Sequence, residues 1–148
     1  MKVVLQRVNN ASVSIDNHLF NKINNGYLLL VGVKNSDSLD DIDYLVRKIT
    51  NLRIFEDNDG KTNLSLSSVN GEILSISQFT LYANTKHGNR PSFIDAGEPR
   101  FASKMYDLFN QKLSDAGNQV KTGQFGADMQ IDLQNDGPFT LVFDTENK

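Results

Sequence analysis

Residues 24–52 read NNGYLLLVGVKNSDSLDDIDYLVRKITNL, and two periodicities meet inside them. Tyr27-Leu28-Leu29-Leu30-Val31-Gly32-Val33 is a nearly continuous apolar run. Such a run suits a central strand covered on both faces. Asn24-Asn25-Gly26 before it supplies the residue types that tolerate a tight turn. After Lys34 the spacing changes. Leu39, Ile42, Leu45, Val46, Ile49 and Leu52 recur at helical intervals. Ser38 is a natural N-cap, and Asp41 three residues later can close a capping box. Asp40, Asp41 and Asp43 begin the segment while Arg47 and Lys48 lie further along, an order that suits the helix dipole. A helix is expected from about 38 to 51.

Working outward, the N-terminal side reads as strands. Val3-Val4-Leu5 and Val8 open it, and Ala11, Val13 and Ile15 alternate with Ser12, Ser14 and Asp16, which places one face in a core and one in water. Asn9-Asn10 and Asp16-Asn17 are the expected turns. Downstream, Asp57-Asn58-Asp59-Gly60 is a turn. Its glycine comes too early for a calcium loop, and no Glu closes the loop. A strand is expected from Glu72 to about Phe79, followed by a polar loop from Asn84 to Gly97. Pro99 fits the first position of a second helix, with Phe101, Met105, Leu108, Phe109, Lys112 and Ala116 as its stripe and Gly117 as its stop. Three closing strands are expected at about 119–122, 128–133 and 139–143. The order of strands, helix, strands, helix, strands gives an α/β fold, layered, with mixed sheets and two main helices. No linker, repeat or low-complexity segment divides residues 1–148, so one domain is expected.

Composition narrows the function. Fifteen Lys and Arg against 18 Asp and Glu leave a formal charge of −3, which excludes holding nucleic acid by bulk charge but permits a local basic patch. There is no cysteine, hence no disulfide, thiolate zinc site or thiol nucleophile. His18 and His87 are the only histidines, so no metal and no cofactor are expected. No signal peptide or membrane-length apolar run is read, and a cytoplasmic protein is expected. The pair of glycines in Gly123-Gln124-Phe125-Gly126 opens no helix and makes a weak phosphate cradle.

Two segments are candidates for chemistry. Ser77-Gln78-Phe79-Thr80-Leu81 ends an apolar strand, where a rigid element can aim side chains and backbone amides; the same residues would also serve as ordinary strand and edge residues. Asn135-Asp136-Gly137-Pro138-Phe139-Thr140 reads as a turn. Alternatively, a cis Gly137–Pro138 bond would set two carbonyls to one side as a pair of acceptors for an amino group. His87 is the one histidine near a candidate site. It would act as a base toward Thr80 or Ser92, or simply be solvated beside Lys86 and Arg90.

These residues sit in a longer pattern. Gln6-Arg7-Val8, Arg53-Ile54-Phe55, Asp59-Gly60-Lys61, Asn63-Leu64-Ser65, Ser77-Gln78-Phe79-Thr80-Leu81, Arg90-Pro91-Ser92-Phe93, Thr122-Gly123-Gln124-Phe125-Gly126-Ala127-Asp128-Met129 and Asn135-Asp136-Gly137-Pro138-Phe139-Thr140 follow one another in order. Nearly end to end, the chain resembles the D-aminoacyl-tRNA deacylases, small homodimeric hydrolases that remove D-amino acids from charged tRNA. It departs from the family pattern at Thr62, where Met is usual, and at Phe139, where Val is common. The resemblance implies that Ser77, Gln78, Phe79 and Thr80 form the catalytic strand end. It also implies that Gly137 and Pro138 reach, through a cis bond, into the partner subunit's site to accept the substrate ammonium and exclude L side chains. Phe125 and Met129 join them as substrate-binding residues, with Phe125 stacking on the terminal adenine.

The implied reaction is hydrolysis of the ester of D-aminoacyl-tRNA, and of glycine mischarged on tRNA(Ala), to free amino acid and tRNA. Thr80 attacks the ester, or else it only positions while backbone N–H groups near Phe79 and Thr80 hold the oxyanion and the free ribose hydroxyl helps activate water. The scarcity of titratable groups favours the second route. Lys86, Arg90, Arg100 and Lys104 are candidate contacts to the tRNA acceptor end. The rival readings are a threonine-nucleophile hydrolase of small esters or amides, and a non-catalytic dimeric module that binds tRNA ends.

Overall fold

The apolar run becomes strand β3 (Gly26–Gly32), and the residues on its two sides enter two different cores. The computed structural model describes residues 1–148. Around β3 stand β1 (Lys2–Ile15), β2 (His18–Ile23), β6 (Glu72–Ser77), β7 (Gln119–Thr122) and β8 (Gln130–Asp144), in one mixed sheet. A hairpin of β4 (Arg53–Glu56) and β5 (Thr62–Ser65) stands apart. The sheet runs β2-β1-β3-β6-β7, with β8 paired to β1 alone. The β3–β6 and β6–β7 pairs are parallel and the others antiparallel.

Helix α1 (Leu39–Thr50) follows the sequence pattern closely, and α2 (Pro99–Asp115) starts at Pro99 as expected. The Ser38 N–H donates to Asp41 Oδ2 at 2.8 Å, the reciprocal half of a capping box. At the start of α2, the Glu98 carboxylate accepts the Phe101 N–H at 3.0 Å, and Pro99 follows as the first helical residue. Ile42, Leu45 and Ile49 of α1 meet Met105, Phe109 and Leu113 of α2 over Val3, Leu5, Tyr27, Leu29 and Val31 of the sheet. A smaller core on the other side gathers Val8, Ala11, Val13, Ile23, Leu28, Leu74 and Ile76. This two-sided burial is why β3 carries no polar alternation.

Some elements differ from expectation. Asn9-Asn10 is no turn: β1 continues through it, with register shifts against β8 on either side of Val8. The turn at Asp16-Asn17 forms, with both residues at positive φ. His18–Ile23 is a strand that its mixed side chains did not announce. The strand expected to reach Phe79 stops at Ser77. The last two expected strands are one, since β8 runs through Asn135–Thr140. The buried stripe of α2 is rotated from the expected one: Ala102, Tyr106 and Leu113 are buried, whereas Lys112 pairs with Asp43 of α1. At Asp57 the carboxylate is used by the turn itself, accepting the N–H groups of Asp59 and Lys61 at 3.0 and 2.9 Å. Gly26 permits the closest approach of β3 to β6. A Cβ there would stand 1.8 Å from the Glu72 carbonyl oxygen.

Candidate active site

Pairing between β3 and β6 sets Val31 opposite Ser77, so both strands end at one edge. The Gln78 N–H donates to the Val31 carbonyl at 2.7 Å, and the chain turns at once into a 3₁₀ turn, Phe79–Tyr82. A cavity of about 740 Å³ opens here, at the carboxyl end of parallel strands, where such sheets leave a crevice. Val31, Ile76, Ser77, Gln78 and Phe79 line it from the sheet, Ala102 and Tyr106 from α2, and Phe125 to Met129 from the loop after β7. Phe93 and Ile94 complete it from the segment before α2.

One oxygen atom ties three of these walls together. The Ser75 carbonyl accepts the Tyr106 hydroxyl at 2.7 Å and the Gly123 N–H at 3.1 Å. Gly123 packs closely under the loop: a Cβ there would lie 2.5 Å from the Met129 sulfur and 3.0 Å from Ile76 Cδ1, so both side chains would have to shift. Tyr106 also leans on Phe125, with ring centroids 6.1 Å apart. Burial pushes the Tyr106 hydroxyl above its ordinary pKa, with the bond to Ser75 acting in opposition, so Tyr106 stays a neutral donor.

The cavity holds few groups able to move a proton. Gln78 presents its side-chain amide to Thr80 Oγ1 at 2.5 Å, and an amide in either orientation is no base. His87 forms no hydrogen bond with Thr80 or Ser92 and does not line the cavity; Ser92 instead exchanges backbone hydrogen bonds with Asn84 at 2.7 and 2.9 Å. Two carboxylates reach the rim, Glu98 and Asp128. Glu98 caps α2 and Asp128 accepts from Gln130 at 3.5 Å; neither bonds to Ser77 or Thr80. The first N–H groups of a helical turn lack acceptors within it, and here they belong to Phe79 and Thr80, with no side chain capping them.

Ser77, Gln78, Phe79, Phe125 and Met129 are thus brought to one cavity, with Thr80 beside them on the 3₁₀ turn. Gly137 and Pro138 do not line it. They lie exposed on β8, joined by a cis peptide bond. Buried Arg7 holds their segment: its Nε donates to the Asp136 carbonyl at 3.1 Å and meets the Asp136 carboxylate at 3.0 Å, its Nη1 donates to the Ile54 carbonyl at 2.5 Å, and its guanidinium lies 5.0 Å from the Phe139 ring centre. The Phe139 N–H donates to Asn135 Oδ1 at 2.7 Å. Arg7 pairs with Tyr27 of β3, which pairs with Ile73 of β6. The segment therefore stands three strands across and four residues back from Ser77, roughly 20 Å by strand spacing and rise.

Of the basic candidates, Arg90, Arg100 and Lys104 are exposed, and Lys86 lines a separate polar cleft. Sequence reasoning missed Tyr106, Phe93 and Ile94 as cavity residues. For Tyr106 the signal was available in its helical spacing from Ala102 and Phe109, once that face of α2 is known to be the buried one.

The chain resembles known proteins over nearly its whole length. The family described as D-Tyr-tRNA(Tyr) deacylase matches residues 4–144. A D-aminoacyl-tRNA deacylase of Limosilactobacillus reuteri (strain DSM 20016) is 59% identical over 144 residues, covering 97% of this chain and 99% of the relative. One of Lactobacillus gasseri is 58% identical with the same coverage. Among solved structures, a c-Myc DNA Unwinding Element Binding Protein superposes with a TM-score of 0.91 at 39% identity, over 97% of this chain and 98% of its own. A probable eukaryotic D-amino acid tRNA deacylase, at 18% identity and TM-score 0.80 over 96% and 97% of the two chains, shares the fold. Matched by the family model over residues 4–144 and 59% identical to a relative across 97% of its length, this chain belongs to the D-Tyr-tRNA(Tyr) deacylase family.

Proposed function

We propose that the protein hydrolyses the ester bond of D-aminoacyl-tRNA, releasing the free D-amino acid and the tRNA. The observation that carries this reading is the 59% identity to a D-aminoacyl-tRNA deacylase across 97% of the chain. The geometry agrees with it. The cavity is apolar enough for an amino-acid side chain and a nucleobase, and Phe125 offers the base a ring to stack on.

In this reading water attacks the ester carbonyl. The N–H groups of Phe79 and Thr80 hold the oxyanion, the carbon–oxygen bond to the ribose breaks, and the departing ribose oxygen takes up a proton. Losing one such donor typically costs about 100- to 1000-fold in rate. Thr80 positions and does not attack, since its one hydrogen-bond partner, the Gln78 amide, cannot accept its proton.

Stereoselection in this reading falls to the carbonyls of Gly137 and Pro138. They accept the substrate ammonium and occupy the space an L side chain needs. Glycine has no side chain to exclude, so glycyl-tRNA is cleaved as well. Because the segment lies roughly 20 Å from its own chain's cavity, the carbonyls serve a second copy, and the protein is a homodimer with shared sites. The free edge and exposed position of β8 support this assembly.

The test is deacylation of matched D-, L- and glycyl-tRNA by the purified protein, with D-tyrosine methyl ester alongside. D- and glycyl-tRNA should be cleaved at least about 100-fold faster than L-, a difference of ~2.7 kcal/mol. Equal cleavage of both hands removes the stereochemical account. Preference for the methyl ester favours a general esterase. Binding without release of amino acid favours a nucleic-acid-binding module, the reading toward which the name of the 39% identical structure points.

A further inference from the structure

A second cleft, of about 620 Å³, opens beside the cavity and shares Asn35 and Ile94 with it. The two differ in chemistry. The first is walled mainly by aliphatic and aromatic side chains; the second carries Lys2, Lys34 and Lys86 among Asn, Ser and Thr residues. Its carboxylates are Asp95 and Glu146, and Asp144 stands beside Lys2, so lysines and acids balance and the cleft is distinguished by which lysine is left without an ion pair. Lys34 is paired with Glu146, and Lys2 lies 3.9 Å from the Asp144 carboxylate with its ammonium 5.0 Å from the Tyr82 ring centre. Lys86 takes part in no ion pair. Its backbone N–H donates to Asn84 Oδ1 at 3.0 Å, which fixes the loop that presents it.

The lip between the two openings is apolar and unusually bare. Ile94 is 84% exposed, and Phe79 and Phe93 are 57% and 38% exposed while meeting edge to face at 5.1 Å. Exposed rings beside an unpaired lysine are the combination that binds single-stranded nucleic acid: rings stack bases and the cation meets the phosphate.

We infer that the single-stranded end of the RNA leaves the cavity over the Phe93–Ile94 lip and that Lys86 receives the phosphodiester next to the esterified nucleotide. This rests on the deacylase reading and adds to it the route of the RNA. One lysine free of any ion pair suits a chain of charge −3 that handles RNA: it meets one phosphate, or few, and leaves the rest of the RNA in solvent.

The experiment compares wild type, Lys86→Ala and Lys86→Arg on two substrates, D-tyrosyl-tRNA and the D-tyrosyl ester of adenosine, which has no phosphate. Lys86→Ala should raise KM for the tRNA roughly 5-fold. It should also flatten the slope of log(1/KM) against log salt by about 0.7. Its kcat/KM for the adenosine ester should stay within about twofold of wild type, and Lys86→Arg should restore the tRNA values. An equal loss on both substrates, or an unchanged KM and salt slope for the tRNA, overturns the route while leaving the deacylase reading standing. A wild-type chain that cleaves neither substrate overturns the deacylase reading and the route with it.

Discussion

At the scale of single residues, the candidate site is defined as much by what its hydroxyls lack as by where they stand. Thr80 Oγ1 faces the Gln78 amide at 2.5 Å, and no imidazole or carboxylate reaches it. If Thr80 only positions the substrate, Thr80→Ala should lower kcat by about 10-fold, the effect of one lost positioning contact. Loss of a true nucleophile costs on the order of a million-fold, and a drop of that size with D-aminoacyl-tRNA binding intact would restore the attacking role. Single-turnover kinetics on D-tyrosyl-tRNA read the difference. At this scale the sequence was legible where one residue type has one physical use. Ser38 and Asp41 cap a helix, and Asp16-Asn17 turn a chain. It was opaque at Arg7. A lone arginine in an alternating strand reads as a solvated residue, and only the folded chain reveals that the Asp136 and Ile54 carbonyls close over it.

At the scale of elements, the sheet is pinned by few charges, and one of them gives the fold a dependence on acid. Glu72, at the start of β6, accepts from Lys121 of β7 at 2.7 Å and from the Asn24 N–H before β3 at 2.8 Å. The hydrogen bond from Lys121 first, and that from Asn24 second, hold its carboxyl below the ordinary value, against some opposition from burial. A carboxyl with a lowered folded pKa stabilises above its unfolded pKa, and that contribution disappears as pH falls through the folded value. Glu72→Gln should therefore cost about 1 kcal/mol near pH 7, a fall of ~2–4 °C in Tm. The gap to wild type should narrow steadily below about pH 5. A gap that stays constant between pH 7 and pH 3 in thermal melts would remove this assignment. Elements with one clean period, α1 and β3, were readable in advance because burial on a fixed face leaves a regular mark. β8 was not. Asn135-Asp136-Gly137-Pro138 carries every signal of a turn, yet pairing with β1 on both sides draws it into one long strand.

For the whole molecule, the decisive relation is between two places that one chain keeps apart, the cavity at the end of β6 and the Gly137–Pro138 segment on β8. No local pattern encodes that separation. It arises from strand order, which places β1 and β3 between them, and sequence periodicity is blind to order. Sedimentation should find a species of twice 16.6 kDa at micromolar concentration. Turnover per chain should fall on dilution in step with its dissociation. A monomer that keeps full stereoselectivity would mean that the carbonyls act elsewhere. The Ser75 carbonyl joins the remaining parts, since helix, strand and loop all hang on the same acceptor. The bottom of the chamber consequently has a fixed gauge. A bulkier occupant cannot spread it without stretching two bonds at once, so any accommodation of size falls to the exposed rings of Phe79 and Phe93 at the doorway.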